Sequence, residues 1–136
     1  MTAYLLDTNV ASHIIKGDRH DILRRLRAVP IDELAVSSVT EAELLYGVAK
    51  RGRPPALAQR VREFLLRVDV LDWDRDAAQA YGDLRARSES RGVSLAPLDM
   101  MIAAHALAVG AVLVTRDKAF THISDDLVIE DWTQDR

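Results

Sequence analysis

The chain has 136 residues, 49% of them apolar, which is enough for one hydrophobic core and sets a single domain over 1–136 as the expectation. Eighteen Lys and Arg against twenty-one Asp and Glu leave a formal charge of −3, which excludes a strongly basic nucleic-acid wrapper but not a local basic face. With no cysteine there is no disulfide framework, thiolate metal site or thiol nucleophile. The first nine residues lack a signal-peptide pattern and no apolar run reaches membrane length, so a soluble cytoplasmic protein is expected.

Short apolar runs at 3–6, 34–36, 70–71, 111–114 and 127–129 predict strands. Between them, helical spacing predicts helices over 10–16, 21–29, 39–50, 56–67, 75–90 and 98–109. Ser38 with Glu41 three residues on reads as a capping box at the start of the third helix. Pro97 suits a first helical turn and Gly110 a helix stop. Arg51-Gly52-Arg53-Pro54-Pro55 reads as a loop between two helices. Strands separated by helices predict an α/β fold, with a mostly parallel sheet of about five strands covered on both faces.

Charge is uneven along the chain. Between Lys50 and Arg67 six basic residues face one acid, Glu63. Near the end the sign reverses through Asp125, Asp126, Glu130, Asp131 and Asp135.

Four carboxylates stand in awkward places. Asp7 follows the first apolar run and Asp117 follows the fourth by two residues, so both point to one sheet edge if those strands are neighbours. Each also suits an ordinary turn or helix cap. Glu43 shares its helix stripe with Val39, Thr40, Tyr46 and Gly47, and Asp99 shares its own with Ile102, Ala103 and Ala106. A helix N-terminus favours an acid by only ~0.3–1 kcal/mol, against several kcal/mol for burying an unpaired charge. No Lys or Arg lies three or four residues from Glu43 or Asp99. Converging carboxylates without matched cations suit a hard ion, Mg²⁺ or Mn²⁺. His13, His20, His105 and His122 lack zinc-ligand spacing and read as surface or packing residues.

At these positions the sequence resembles PIN-domain ribonucleases, and more narrowly the VapC toxins of type II toxin–antitoxin pairs. The resemblance rests on Leu6-Asp7-Thr8-Asn9, on the block from Ser37 to Leu44 with Tyr46-Gly47, on the block from Pro97 to Ala106, and on Leu113-Val114-Thr115-Arg116-Asp117 with Phe120. The ending Glu130-Asp131-Trp132 is also similar to that of many members. The resemblance implies a metal-dependent endoribonuclease with Asp7, Glu43, Asp99 and Asp117 as its acidic positions, and Asn9 and Thr115 as polar positions beside them. Some members carry a further acid where this chain has Ala119.

The chemistry this implies is phosphodiester hydrolysis without a covalent enzyme intermediate, assisted by one Mg²⁺ or Mn²⁺ ion or by two about 3.5–4 Å apart. Asp7 and Asp99 are the expected primary ligands, with Glu43 and Asp117 completing the shell directly or through water. Arg53, Arg60, Arg62 and Arg67, with Arg116 and Lys118 beside the site, are the candidate RNA-binding cations. Structured RNA is the expected substrate, tRNA cut in its anticodon region being the first guess. The resemblance also implies a homodimer and a VapB-type antitoxin, with Leu23, Leu26, Leu45, Leu65 and Leu66 as candidate interface residues. Two rivals remain: a haloacid-dehalogenase-like phosphatase, which needs an acid where Asn9 stands, and a non-catalytic module of a repressor complex.

Overall fold

Alternation of side chains along short strands decides which residues meet, and here it sorts the core into two layers. The computed structural model describes residues 2–123 and 126–134. Its strands are β1 (Tyr4–Leu6), β2 (Leu34–Ser37), β3 (Asp69–Leu71), β4 (Val112–Val114) and β5 (Ile129–Glu130). The helices are α1 (Thr8–Lys16), α2 (His20–Arg27), α3 (Ser38–Lys50), α4 (Pro55–Arg67), α5 (Arg75–Ser90) and α6 (Pro97–Val109). Two 3₁₀ turns, Ile31–Glu33 and Lys118–His122, complete the described elements.

All strand pairs are parallel, in the order β3-β2-β1-β4-β5. Leu5, Ala35 and Leu113 face one layer, which holds Leu84 of α5 and the apolar α6 residues Ile102, Ala103 and Ala106. Leu6, Val36 and Val114, one residue further along each strand, face the other layer with Val10, Leu44, Val61, Phe64 and Trp132. The α/β expectation therefore holds, and the sheet is parallel throughout. No described helix is long and apolar enough to cross a membrane.

Helix ends follow local chemistry, with one correction. The third helix begins one residue earlier than a Ser38 cap requires. Ser37 is its N-cap, accepting from the Val39 N–H at 3.1 Å, while Ser38 Oγ accepts from the Trp73 N–H at 3.0 Å. The expected Ser38–Glu41 capping box does not form because Ser38 lies inside the helix and its hydroxyl is committed to the chain after β3. Gly110 ends α6 in the left-handed conformation, φ 69°, as its position predicts. Strand β5 lies later than its apolar run, because Leu127 enters the core before pairing begins at Ile129. Of the expected acidic tail, Asp125 and Asp135 lie outside the described residues.

Candidate active site

Strand order supplies the first argument for a site. The chain leaves β1 toward β2 on one side, whereas β4 flanks β1 on the other, so a crevice opens beyond the carboxyl ends of β1 and β4. Their register sets Leu6 opposite Val114, and the Asp7 N–H extends the ladder to the Val114 carbonyl at 3.0 Å. Asp7 then begins α1: its Oδ1 accepts from the Val10 N–H at 2.8 Å. The ordinary cap reading of Asp7 is thus correct, and the same carboxylate also walls the crevice.

The crevice is an open basin of about 620 Å³ lined by Asp7, Thr8, Asn9, Ser12, Glu43, Asp99, Arg116, Asp117 and Phe120. Four elements deliver the four acids. Asp99 comes from the first turn of α6, and Glu43 from the middle of α3. Asp117 caps the turn after β4, accepting from the Ala119 N–H at 2.9 Å. Its own N–H donates to Thr115 Oγ1 at 3.1 Å, so buried Thr115 orders this corner of the basin. Glu43 Oε1 accepts from the Thr8 hydroxyl at 2.7 Å. Since that hydroxyl has one proton, Thr40, 3.1 Å away, must be the donor to Thr8 Oγ1.

The electrostatics register convergence. Burial pushes the Asp7 carboxyl up to about 6, reinforced by the charges of Asp99 and Asp117 and opposed by the Thr115 hydroxyl and the Val10 N–H. Asp99 is raised by burial, then by the charges of Glu43 and Asp117. Among the described residues none of the four acids forms an ion pair. No three described His, Asp or Glu side chains are drawn together tightly enough to ligate one ion as they stand. Mutual repulsion works against such closure until a cation is present. The donor set fits a hard divalent ion, since it offers carboxylate oxygens that form no ion pair among the described residues. It does not fit zinc. His13 Nδ1 is hydrogen-bonded to Asp18 at 2.8 Å, and buried His105 is hydrogen-bonded to Ser37 Oγ at 2.8 Å.

Some expected residues stand elsewhere. Asn9 lines the basin but makes no hydrogen bond to a carboxylate among the described residues. Arg60 and Arg67 line a groove with Ile14, Leu26 and Phe64 instead. Arg53 and Arg62 line another, with Leu45, Leu65 and Leu66. Of the expected cations only Arg116 lines the basin; Lys118 is exposed one residue beyond Asp117. Thr8, Ser12 and Thr40 were not singled out from the sequence, although Thr8 and Ser12 are one helical turn apart and Thr40 is one turn before Glu43.

The profile of the PIN domain matches residues 4–126, a span that contains all four acids. The chain belongs to the PIN-domain family. This PIN domain is 34% identical over 133 residues to the tRNA(fMet)-specific endonuclease VapC of Shigella flexneri, covering 98% of this chain and 100% of that protein. It is 33% identical over 131 residues to ribonuclease VapC2 of Rickettsia felis, covering 95% and 97%. A chain in the crystal structure of DNA-bound VapBC from Salmonella typhimurium superposes on it with a TM-score of 0.90 at 36% identity, covering 97% and 99%. Within its family the PIN domain is therefore of the VapC type.

Proposed function

We propose that this chain is the toxin of a VapBC-type pair, a single PIN domain over 1–136 acting in the cytoplasm, and that it hydrolyses phosphodiester bonds in structured RNA. Initiator tRNA cut in the anticodon region is the first substrate to try, because two relatives are named for tRNA(fMet). The observation that carries the reading is the basin itself: four acids from separate elements line one crevice, and none is neutralised by a basic side chain among the described residues.

Asp7 and Asp99 would hold Mg²⁺ or Mn²⁺, with Glu43 and Asp117 completing the shell directly or through water. When bound, the ion lowers the pKa of water and neutralises charge developing on the phosphate. Asp7 is fixed by the sheet and the α1 cap, so its position costs little reorganisation. Thr8 holds the Glu43 carboxylate toward the crevice, and Thr115 holds the backbone of Asp117. Asn9 is placed to meet a water or a phosphate oxygen. Arg116 supplies positive charge at the rim for a phosphate that the bare acids would repel. Arg53, Arg60, Arg62 and Lys118 contribute a diffuse field along the approaching RNA. The products would carry 5′-phosphate and 3′-hydroxyl ends.

A VapB-type antitoxin is the proposed partner, since the solved relatives include VapBC complexes. A homodimer is proposed as well, supported by Leu45 and Leu66, which are 52% and 80% exposed. The deciding test is cleavage of transcribed initiator tRNA in Mn²⁺ and in EDTA, followed by sequencing of the RNA ends. Cleavage by wild type in Mn²⁺, abolished by EDTA and by Asp99→Asn, is the expected result. Full activity of a contaminant-free Asp99→Asn protein would overturn it.

A further inference from the structure

Arg116 poses a problem that the proposed function does not solve. It lines the basin together with four carboxylates, yet it forms no ion pair with any of them among the described residues. Its contact is with an imidazole instead: Nη1 lies 3.2 Å from His13 Nε2. The other ring nitrogen, Nδ1, lies 2.8 Å from Asp18 Oδ1.

The chemistry of the donors fixes this arrangement. A guanidinium only donates, so His13 Nε2 must present its lone pair to Arg116. The ring proton then sits on Nδ1 and is donated to the Asp18 carboxylate. The hydrogen bond to His13 is also the first cause holding the Asp18 carboxyl below its ordinary range. The helix end makes the geometry possible. Gly17 closes α1 in the left-handed conformation, φ 66°, with its N–H on the His13 carbonyl, and the next residue, Asp18, turns back to the ring one turn earlier. His13 is only 18% exposed, so the ring is packed while its edge faces Arg116.

We propose that His13, oriented by Asp18, is a positioning residue that holds Arg116 at the rim of the basin for a phosphate of the RNA and away from the acids. The inference rests on the nuclease reading above and deepens it. One of the five guanidinium N–H groups is committed to His13, which leaves the others for phosphate oxygens. Without the imidazole, the strongest local attraction on Arg116 is the carboxylate cluster, which draws the guanidinium away from an approaching phosphate.

The test is a double-mutant cycle on cleavage of transcribed initiator tRNA in Mn²⁺, using Arg116→Ala, His13→Leu and the pair, with Asp99→Asn as control. Arg116→Ala should raise KM about tenfold, as expected for a lost charge-assisted contact. His13→Leu should raise it about three- to fivefold, and the pair should match Arg116→Ala alone, because His13 acts through Arg116. His13→Gln, whose amide oxygen can accept from the guanidinium, should recover at least half of the His13→Leu loss on a logarithmic scale. Imidazole ¹⁵N spectra should show His13 protonated on Nδ1 in the wild type and also in Arg116→Ala, where the Asp18 carboxylate still accepts from that nitrogen. Multiplying effects in the pair, no rescue by glutamine, or a wild-type ring protonated on Nε2 would each overturn the relay. An active Asp99→Asn, or a wild type that cuts no tRNA in Mn²⁺, would instead overturn the nuclease reading beneath it.

Discussion

Thr8 and Glu43 meet across 2.7 Å, hydroxyl to carboxylate, joining the first turn of α1 to the middle of α3. Thr40 stands behind Thr8 as a donor, so the three side chains form a short chain of hydrogen bonds ending on an acid at the edge of the basin. Replacing Thr8 by Val keeps shape and removes both bonds. Activity in Mn²⁺ should fall about tenfold, and urea unfolding should show a loss of about 1–2 kcal/mol. Unchanged activity with reduced stability would make the pair a structural tie only.

Asp7 should make the metal-free protein less stable as pH rises. Its carboxyl is raised from 3.8 to about 6, so folding favours the protonated form. That contribution is complete below 3.8, is lost as pH climbs through about 6, and stays lost above it. Asp7→Asn keeps an N-cap side chain and cannot ionise. In EDTA the variant should match wild type near pH 4 and exceed it by up to about 3 kcal/mol at pH 8, read by urea unfolding. A gap that does not change with pH would refute the burial argument.

Divalent ions should reverse that penalty. At a hundred times its dissociation constant, an ion stabilises the folded state by about 2.7 kcal/mol. Mn²⁺ should therefore raise the melting temperature of wild type but not that of Asp99→Asn. In EDTA the variant should melt no lower than wild type, since one of several like charges is gone. A variant that melts clearly lower in EDTA would mark Asp99 as a structural helix-end acid.

Ser37, the last residue of β2, and His105 of α6 offer a contrasting case. The imidazole is buried and its pKa is lowered by that burial, so it is neutral in the fold. As pH falls below the ordinary 6.5, the unfolded chain binds the proton first and stability is lost, opposite in sign to Asp7. Ser37→Ala removes both the partner of His105 and the cap of α3, and should cost about 2–3 kcal/mol in urea at pH 7.5. A cost below half a kcal/mol would show that water replaces the hydroxyl.

Local patterns in the sequence carried the strands, the helices and the four acids, because each depends on neighbours within a turn or two. Asp7 and Asp117 could be placed on one edge once β1 and β4 were taken as partners, and the register bears that out. The stripe around Glu43 was less clear: Val39 and Thr40 are buried, whereas Tyr46 is 65% exposed with Lys50 over its ring. The basic faces were illegible. Arg60 and Arg62 are close in sequence, but two residues apart on a helix point to different grooves. Long-range ties such as Arg25 to Glu130, at 3.0 Å, and Arg25 over the Trp132 ring leave no local pattern to read. The relay through His13 was hidden for the same reason, since its two ends are joined only by the fold.

The central strand β1 pairs Leu5 with Leu113, a residue far downstream in the chain. A nascent polypeptide emerging from the ribosome therefore carries Asp7 and Glu43 long before Asp99 and Asp117 exist to face them. The four acids can converge only after β4 and the turn beyond it have been made. Because β1 sits between β2 and β4, a chain stopped short of β4 lacks the strand and turn that carry Asp117 to the basin.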